Sequence, residues 1–94
     1  MGTRENKVEK YLHDEVVKLG GLTRKWTSTI AGVPDRIVII NGKVIFVEVK
    51  TADGRLSTAQ KREHARLEAV GAKVITLHGR DEVNEFIAFF KDNK

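Results

Sequence analysis

An Asn-Gly pair, Asn41–Gly42, stands between two apolar runs, and this arrangement limits the possible folds more than any other feature of the chain. Asn-Gly readily adopts the two positive φ angles of a type I′ turn, which joins antiparallel strands through two residues. The flanking runs, DRIVII at 35–40 and KVIFVEVK at 43–50, therefore predict a β-hairpin. A two-residue turn also sets the pairing, so that position 40 faces 43, 39 faces 44 and 37 faces 46.

The same register brings two acids together at the open end of the hairpin. Asp35 falls opposite Glu48, and Lys50, two residues further along the strand, points to the same face. Opposed carboxylates repel each other, so the fold needs something to offset them. A divalent cation such as Mg²⁺ would do so, because it takes oxygen ligands and often only one or two carboxylates. The alternative is a plain salt bridge from Glu48 to Lys50 or Arg36.

Apolar spacing outlines the remaining elements. It predicts helices at 4–19, from Ser57 to about 70 and from Asp81 onwards, and strands at 22–28 and 72–77. The predicted order is α-β-β-β-α-β-α, with an edge strand first and the run 43–50 in the centre of the sheet. The last strand should lie parallel to its neighbour, because a helix connects them. Residues 1–94 are thus predicted to form one α/β domain with a mixed central sheet.

Composition limits the partners. The chain has 17 Lys and Arg against 13 Asp and Glu, a net charge of +4 that favours a polyanionic partner. It has no cysteine, which excludes disulfides and cysteine-ligated zinc and suits a reducing cytoplasm. No apolar run approaches the roughly 20 residues that span a bilayer, so no membrane partner is expected.

The sequence around the acidic pair resembles a known family. The strings GVPDRIVI and FVEVK resemble the PD-(D/E)XK nuclease motif, with its acids and lysine at Asp35, Glu48 and Lys50. The longer pattern over 5–78 resembles the VRR-NUC domain, of which a stand-alone version occurs in phages and other viruses. The resemblance implies a restriction-endonuclease-like core, dependence on Mg²⁺ or Mn²⁺, and hydrolysis of phosphodiester bonds. It also implies a preference for branched DNA such as Holliday junctions and, for a viral protein, the cytoplasm of the host cell.

Roles follow for the motif residues. Asp35 and Glu48 would ligate the metal, and the resemblance adds the backbone carbonyl of Val49. Lys50 would stabilise negative charge in the transition state. A role as general base is less suitable, because two neighbouring carboxylates favour the charged form of a lysine.

Two helical residues extend the predicted site. Glu5 precedes Val8 by three residues, as the family's first-helix glutamate precedes an apolar residue, and Glu9 one turn later is the alternative. The family also has a glutamine near its metal site, which Gln60 matches. Both have structural readings, since an acid in a first turn suits the helix dipole and Ser57-x-x-Gln60 forms a capping box.

Other residues bear on partners. Five basic residues are predicted to contact nucleic acid: Arg24, Lys25, Arg36, Lys61 and Arg62. The alternative is that they form an ordinary solvated surface. His64 shares the inward face of the second helix with Gln60, and a packed or solvated side chain is its favoured interpretation. Phe89 lies off the apolar stripe of the third helix, so it is a candidate for a two-fold interface in a homodimer.

Three functions compete for this chain. One is a metal-dependent, structure-specific DNA endonuclease, the second a non-catalytic nucleic-acid-binding module, and the third a small interaction protein whose acid pair is structural. A pure binder has no need for opposed acids at a strand end, since they would repel phosphate. The sequence therefore favours the endonuclease.

Overall fold

The computed structural model describes residues 3–92 and has the predicted order of elements. The elements are α1 (Thr3–Lys18), β1 (Leu22–Lys25), β2 (Arg36–Ile40), β3 (Lys43–Lys50), α2 (Thr58–Ala69), β4 (Val74–His78) and α3 (Gly79–Asp92). The order α-β-β-β-α-β-α is confirmed. Within the described part of the chain, no helix combines the length and apolar character needed to cross a membrane.

The hairpin between β2 and β3 has the predicted turn and register. Asn41 and Gly42 have φ angles of 52° and 76°, as a type I′ turn requires. The ladder pairs Ile40 with Lys43, Ile39 with Val44 and Ile37 with Phe46. It ends at the pair Arg36–Val47, so β2 begins one residue later than predicted and Asp35 lies immediately before it.

The sheet is mixed and its strands lie in chain order, β1-β2-β3-β4. The first three strands are antiparallel, and β4 runs parallel to β3. A parallel pair needs a crossover, which α2 and its flanking loops provide. The predicted edge position of β1 and central position of β3 are both confirmed.

Alternation along β3 divides the molecule into two sides. Ile45, Val47 and Val49 enter the main core, together with apolar residues of α1 and α3. Phe46, Glu48 and Lys50 point to the opposite side of the sheet, because successive side chains alternate. The core also contains Val8, Leu12, Val16, Val38, Ile40, Leu77, Val83, Ile87 and Phe90. The site thus lies on the face of the sheet away from this core.

An apolar row crosses that second face near the hairpin turn. It consists of Leu22, Ile39 and Val44, which are paired across β1, β2 and β3. These residues are 40–51% exposed, so none of the described helices covers this part of the sheet. We call these three residues the apolar row.

Candidate active site

The loop 26–35 delivers Asp35 to the end of the hairpin. Its base is closed by a hydrogen bond of 3.0 Å from the Trp26 backbone N–H to the Asp35 carbonyl. The Trp26 ring packs on Phe46, with ring centroids 5.2 Å apart. The Asp35 side chain is held from the other strand, since the Val49 backbone N–H donates to its Oδ2 at 2.7 Å. Asp35 is therefore fixed against β3 although it lies outside β2.

Glu48 is a carboxylate in the interior of the protein. It is 1% exposed, and polar groups contact both of its oxygens. Gln60 Nε2 donates to Oε2 at 3.2 Å, and His64 Nε2 lies 3.2 Å from Oε1. Lys50 Nζ lies 3.9 Å from Oε2, which is an ion-pair distance. Glu48 thus joins the strand β3 to the helix α2.

The surroundings of Glu48 oppose its negative charge. Burial is the largest effect, and a hydrogen bond to Asp35 and the Asp35 charge add to it, so that the pKa of Glu48 rises to about 9. The positive charge of Lys50 acts in the other direction, and Glu5 adds a smaller upward effect. Without a further cation, this arrangement favours a protonated Glu48 at neutral pH.

Gln60 forms the predicted capping box and also contacts Glu48. Its Oε1 accepts from the Ser57 backbone N–H at 2.8 Å, and the Gln60 backbone N–H donates to Ser57 Oγ at 3.1 Å, which completes the capping box. The Nε2 of the same side chain donates to Glu48. The start of α2 is therefore tied to the site through one residue.

The two acids of α1 have different surroundings. Glu9 Oε2 accepts from Lys25 Nζ at 2.8 Å and from Arg36 Nη1 at 2.9 Å, so its charge is already offset by two cations. Glu5 is half-buried and close enough to raise the pKa of Glu48 through its charge. Glu5 therefore stays the predicted first-helix acid, whereas Glu9 is engaged by two cations.

The basic residues predicted to bind nucleic acid are divided between both sides of the sheet. Arg24 pairs with Ile37 and so shares the face of Phe46 and Glu48, whereas Lys25 and Arg36 point to the face of α1. The Arg36 guanidinium is mostly buried, and its Nε also donates to Thr23 Oγ1 at 3.1 Å. The other two, Lys61 and Arg62, are exposed on α2.

His64 is buried on the inward face of α2, in agreement with the predicted packed side chain. Its contact with Glu48 was not predicted. Burial lowers the pKa of His64, which keeps the imidazole neutral near pH 7. The signal in the sequence was the spacing itself, because residues 60 and 64 lie one helical turn apart and face the same way.

The donor set suits a hard divalent cation. Asp35 and Glu48 provide carboxylate oxygens. Burial and the neighbouring Asp35 charge raise the pKa of Glu48, and a bound cation would oppose both effects. Among residues 3–92 no cluster of three His, Cys, Asp or Glu side chains has metal-binding geometry. Two carboxylates completed by a backbone carbonyl and water are a combination that Mg²⁺ accepts.

A mixed sheet flanked by helices, with two acids and a lysine at the end of its hairpin, defines the class of PD-(D/E)XK nuclease folds. A family model described as the VRR-NUC domain matches residues 6–81. The chain belongs to the VRR-NUC family, and it is accordingly a nuclease.

The chain is also similar to individual proteins. It is 49% identical over 80 residues to the protein named "Putative nuclease p44" from Acyrthosiphon pisum secondary endosymbiont phage 1, a match that covers 83% of this chain and 86% of the relative. A solved structure described as "VRR_NUC domain" has a TM-score of 0.84 and 32% identity, and the match covers 95% of this chain and 99% of that one. Another, "VRR_NUC domain protein", has a TM-score of 0.74 at 17% identity, covers 100% and 93% of the two chains, and shows the same fold.

Proposed function

We propose that this nuclease is a metal-dependent, structure-specific DNA endonuclease that hydrolyses phosphodiester bonds in branched DNA such as Holliday junctions. The observation that carries the proposal is the buried Glu48, which faces Asp35 and has Lys50 at 3.9 Å. Two acids in this position weaken the fold unless they serve a ligand. Mg²⁺ is the proposed ligand, with Mn²⁺ as a substitute.

The proposed roles follow from where the groups lie. Asp35, Glu48 and the Val49 carbonyl would hold the metal, with Glu5 near them. When bound, a divalent cation lowers the pKa of a water and offsets charge on the phosphate. Lys50, beside Glu48, would stabilise the negative charge that develops on the phosphate during hydrolysis.

DNA would approach the face of the sheet that carries Glu48. Arg24 shares this face, and Lys61 and Arg62 extend from the first turns of α2, next to Gln60. We propose phosphate contacts for these three residues. Lys25 and Arg36 lie on the opposite face, where both bond Glu9, so they are left out of this surface. Such contacts release counterions, so DNA affinity should fall steeply as salt rises.

The proposed active form is a homodimer, because cutting two strands of a junction calls for two sites. Phe89 is 54% exposed and lines a groove of about 500 Å³ together with Val44 of the apolar row. A two-fold interface uses the same patch on both subunits, and this groove combines apolar side chains and an exposed aromatic ring with two lysines, Lys43 and Lys73. The similarity to a phage protein supports a viral setting, in which the enzyme acts in the cytoplasm of an infected cell.

Cleavage of defined DNA tests the proposed function. The labelled substrates are a four-way junction, a duplex and a single strand, each incubated with Mg²⁺, with Mn²⁺ or with EDTA. We expect cleavage only with metal, and fastest on the junction. Glu48→Gln and Asp35→Asn should each abolish cleavage yet bind the junction normally, since each removes a metal ligand and leaves the basic surface unchanged.

The outcomes separate the candidate functions. Junction binding without cleavage under any metal condition would favour the non-catalytic binding module. Cleavage in EDTA at the wild-type rate would reject metal dependence, and wild-type rates in Glu48→Gln would reject the assigned site. Equal rates on junction and duplex would reject the preference for branched DNA.

A further inference from the structure

The imidazole of His64 is a buried polar group of α2 with no assigned role in hydrolysis. His64 is the buried residue of α2, and its side chain is 8% exposed. At such a position an apolar side chain is the ordinary choice, because a buried polar group needs a hydrogen-bond partner. The partner here is Glu48 Oε1, 3.2 Å from Nε2.

The contact of His64 complements that of Gln60. Gln60 Nε2 binds Oε2 of Glu48, and His64 Nε2 lies against Oε1, so α2 reaches each oxygen separately. The two residues are four positions apart and therefore lie on one face of the helix. We call Gln60 and His64 the α2 clamp.

Two contacts restrict the carboxylate in a way that one cannot. The terminal torsion of a glutamate is broad, so a carboxylate held at a single oxygen can still rotate about its last bond. Hydrogen bonds to both oxygens fix the plane of the group. They also leave the remaining lone pairs of Glu48 pointing in set directions, which is what a metal ligand needs.

We infer that His64 is a positioning residue that, with Gln60, fixes the carboxylate plane of Glu48 for a divalent cation by donating its Nε2–H to Oε1. The inference rests on the proposed function, because it concerns the same metal site. Groups that hydrogen-bond to metal ligands typically change metal affinity about 10- to 100-fold when they are removed.

A pair of substitutions separates the hydrogen bond from the volume of the side chain. His64→Met and His64→Gln have similar length, but only Gln retains an N–H donor. Binding of Mn²⁺ followed by electron paramagnetic resonance measures metal affinity without any cleavage. We expect affinity to fall about 10- to 100-fold in His64→Met and to be largely restored in His64→Gln. The control is His13→Met, a half-exposed histidine on α1 that contacts Asp14, and it should bind Mn²⁺ as the wild type does.

The wild-type protein supplies a second measurement that needs no variant to fold. With Mg²⁺ bound, two-dimensional ¹H–¹⁵N spectra of the imidazole should show His64 as the tautomer that carries its proton on Nε2. The Nδ1–H tautomer, or equal affinity in His64→Met and wild type, would overturn the inference. Equal losses in His64→Met and His64→Gln would overturn it too, since packing alone would then explain the effect. Wild-type protein that binds no Mn²⁺ would instead reject the metal site of the proposed function.

Discussion

Substitution of Lys50 should affect catalysis without affecting metal binding. Its Nζ lies 3.9 Å from Glu48, but the proposed metal ligands are oxygens, so Lys50→Ala should still bind Mn²⁺. Cleavage should fall by roughly 10²–10³-fold, the usual loss when one group that stabilises transition-state charge is removed. Single-turnover cleavage and calorimetry of Mn²⁺ binding measure the two properties separately.

A lysine distant from the site provides the control for this prediction. Lys18 pairs with Glu15 on the surface of α1, and Lys18→Ala should cleave at the wild-type rate. The role proposed for Lys50 would be wrong if Lys50→Ala lost metal binding while its catalysis persisted.

The buried carboxylate of Glu48 should make the stability of the metal-free protein depend on pH. Its pKa rises from the ordinary 4.5 to about 9 on folding, chiefly through burial. Between these two values the folded protein retains a proton that the unfolded chain releases. The free energy of unfolding should therefore decrease as the pH rises from about 5 to about 9, and the contribution of Glu48 is fully present only below its unfolded pKa.

Glu48→Gln isolates this effect, because it has the same shape and cannot ionise. Urea unfolding in EDTA at several pH values should show the two proteins converging at low pH and the variant becoming the more stable one as the pH rises. Parallel curves for the two proteins would contradict the prediction. Added Mg²⁺ should reduce the difference, since a bound cation favours the charged carboxylate.

The acids and the lysine of the site were predictable from sequence, because a two-residue turn fixes which positions face each other. The hairpin register alone predicts Asp35 against Glu48, and the Ser57–Gln60 spacing predicts the capping box. The contact between His64 and Glu48 was not predictable in the same way. It depends on how α2 packs on the sheet, and the sequence of α2 alone does not determine the distance between the helix and β3.

At the scale of elements, the loop 26–35 and the start of α2 meet at Gly32. A Cβ at this position would lie 2.3 Å from the Ala59 carbonyl oxygen and 2.8 Å from the Gln60 nitrogen, and φ is +90°. Gly32→Ala should therefore move the loop away from α2. We expect a loss of several kcal/mol in the free energy of unfolding, more than the ~1–3 kcal/mol of a strained φ alone, together with weaker cleavage.

Gly20 is a matched glycine for this test. Its φ is +84°, but a Cβ there would meet nothing within 4 Å, so Gly20→Ala carries only the conformational cost. Urea unfolding of both variants measures the difference between the two positions. Equal losses would show that the close approach of Gly32 to α2 has no energetic consequence.

The helices and strands themselves were largely predictable, and their ends were less so. Periodicity identified α1, β3 and the apolar stripe of α3, because each buries one regular face in the core. The path of 26–35 was beyond such reasoning. It is held by single contacts such as Trp26 on Phe46 and Gly32 on α2, which join parts of the chain that are distant in sequence.

At the scale of the whole molecule, the exposed apolar surface predicts association. Light scattering at micromolar concentration should give about twice the monomer mass of 10.6 kDa. Phe89→Glu should produce a monomer, because it removes the exposed aromatic ring that the proposed two-fold contact uses. A wild-type mass near that of the monomer would reject the dimer.

An exposed valine elsewhere serves as the matched control. Val17 on α1 is also more than half exposed but does not line the groove, so Val17→Glu should remain dimeric. A dimer that persists in Phe89→Glu would place the interface on another surface, for which the apolar row is the next candidate.

The capping box of α2 has a consequence for how related chains can change length. Ser57 sets the start of the helix, Gln60 both closes the cap and reaches Glu48, and His64 follows one turn later. An insertion or deletion between 57 and 64 would rotate one of these groups away from its partner by about 100° per residue. Related nucleases should therefore vary in length within the loop 51–56 while keeping the spacing Ser-x-x-Gln-x-x-x-His, and a chain that breaks this spacing should have a different contact to its strand glutamate.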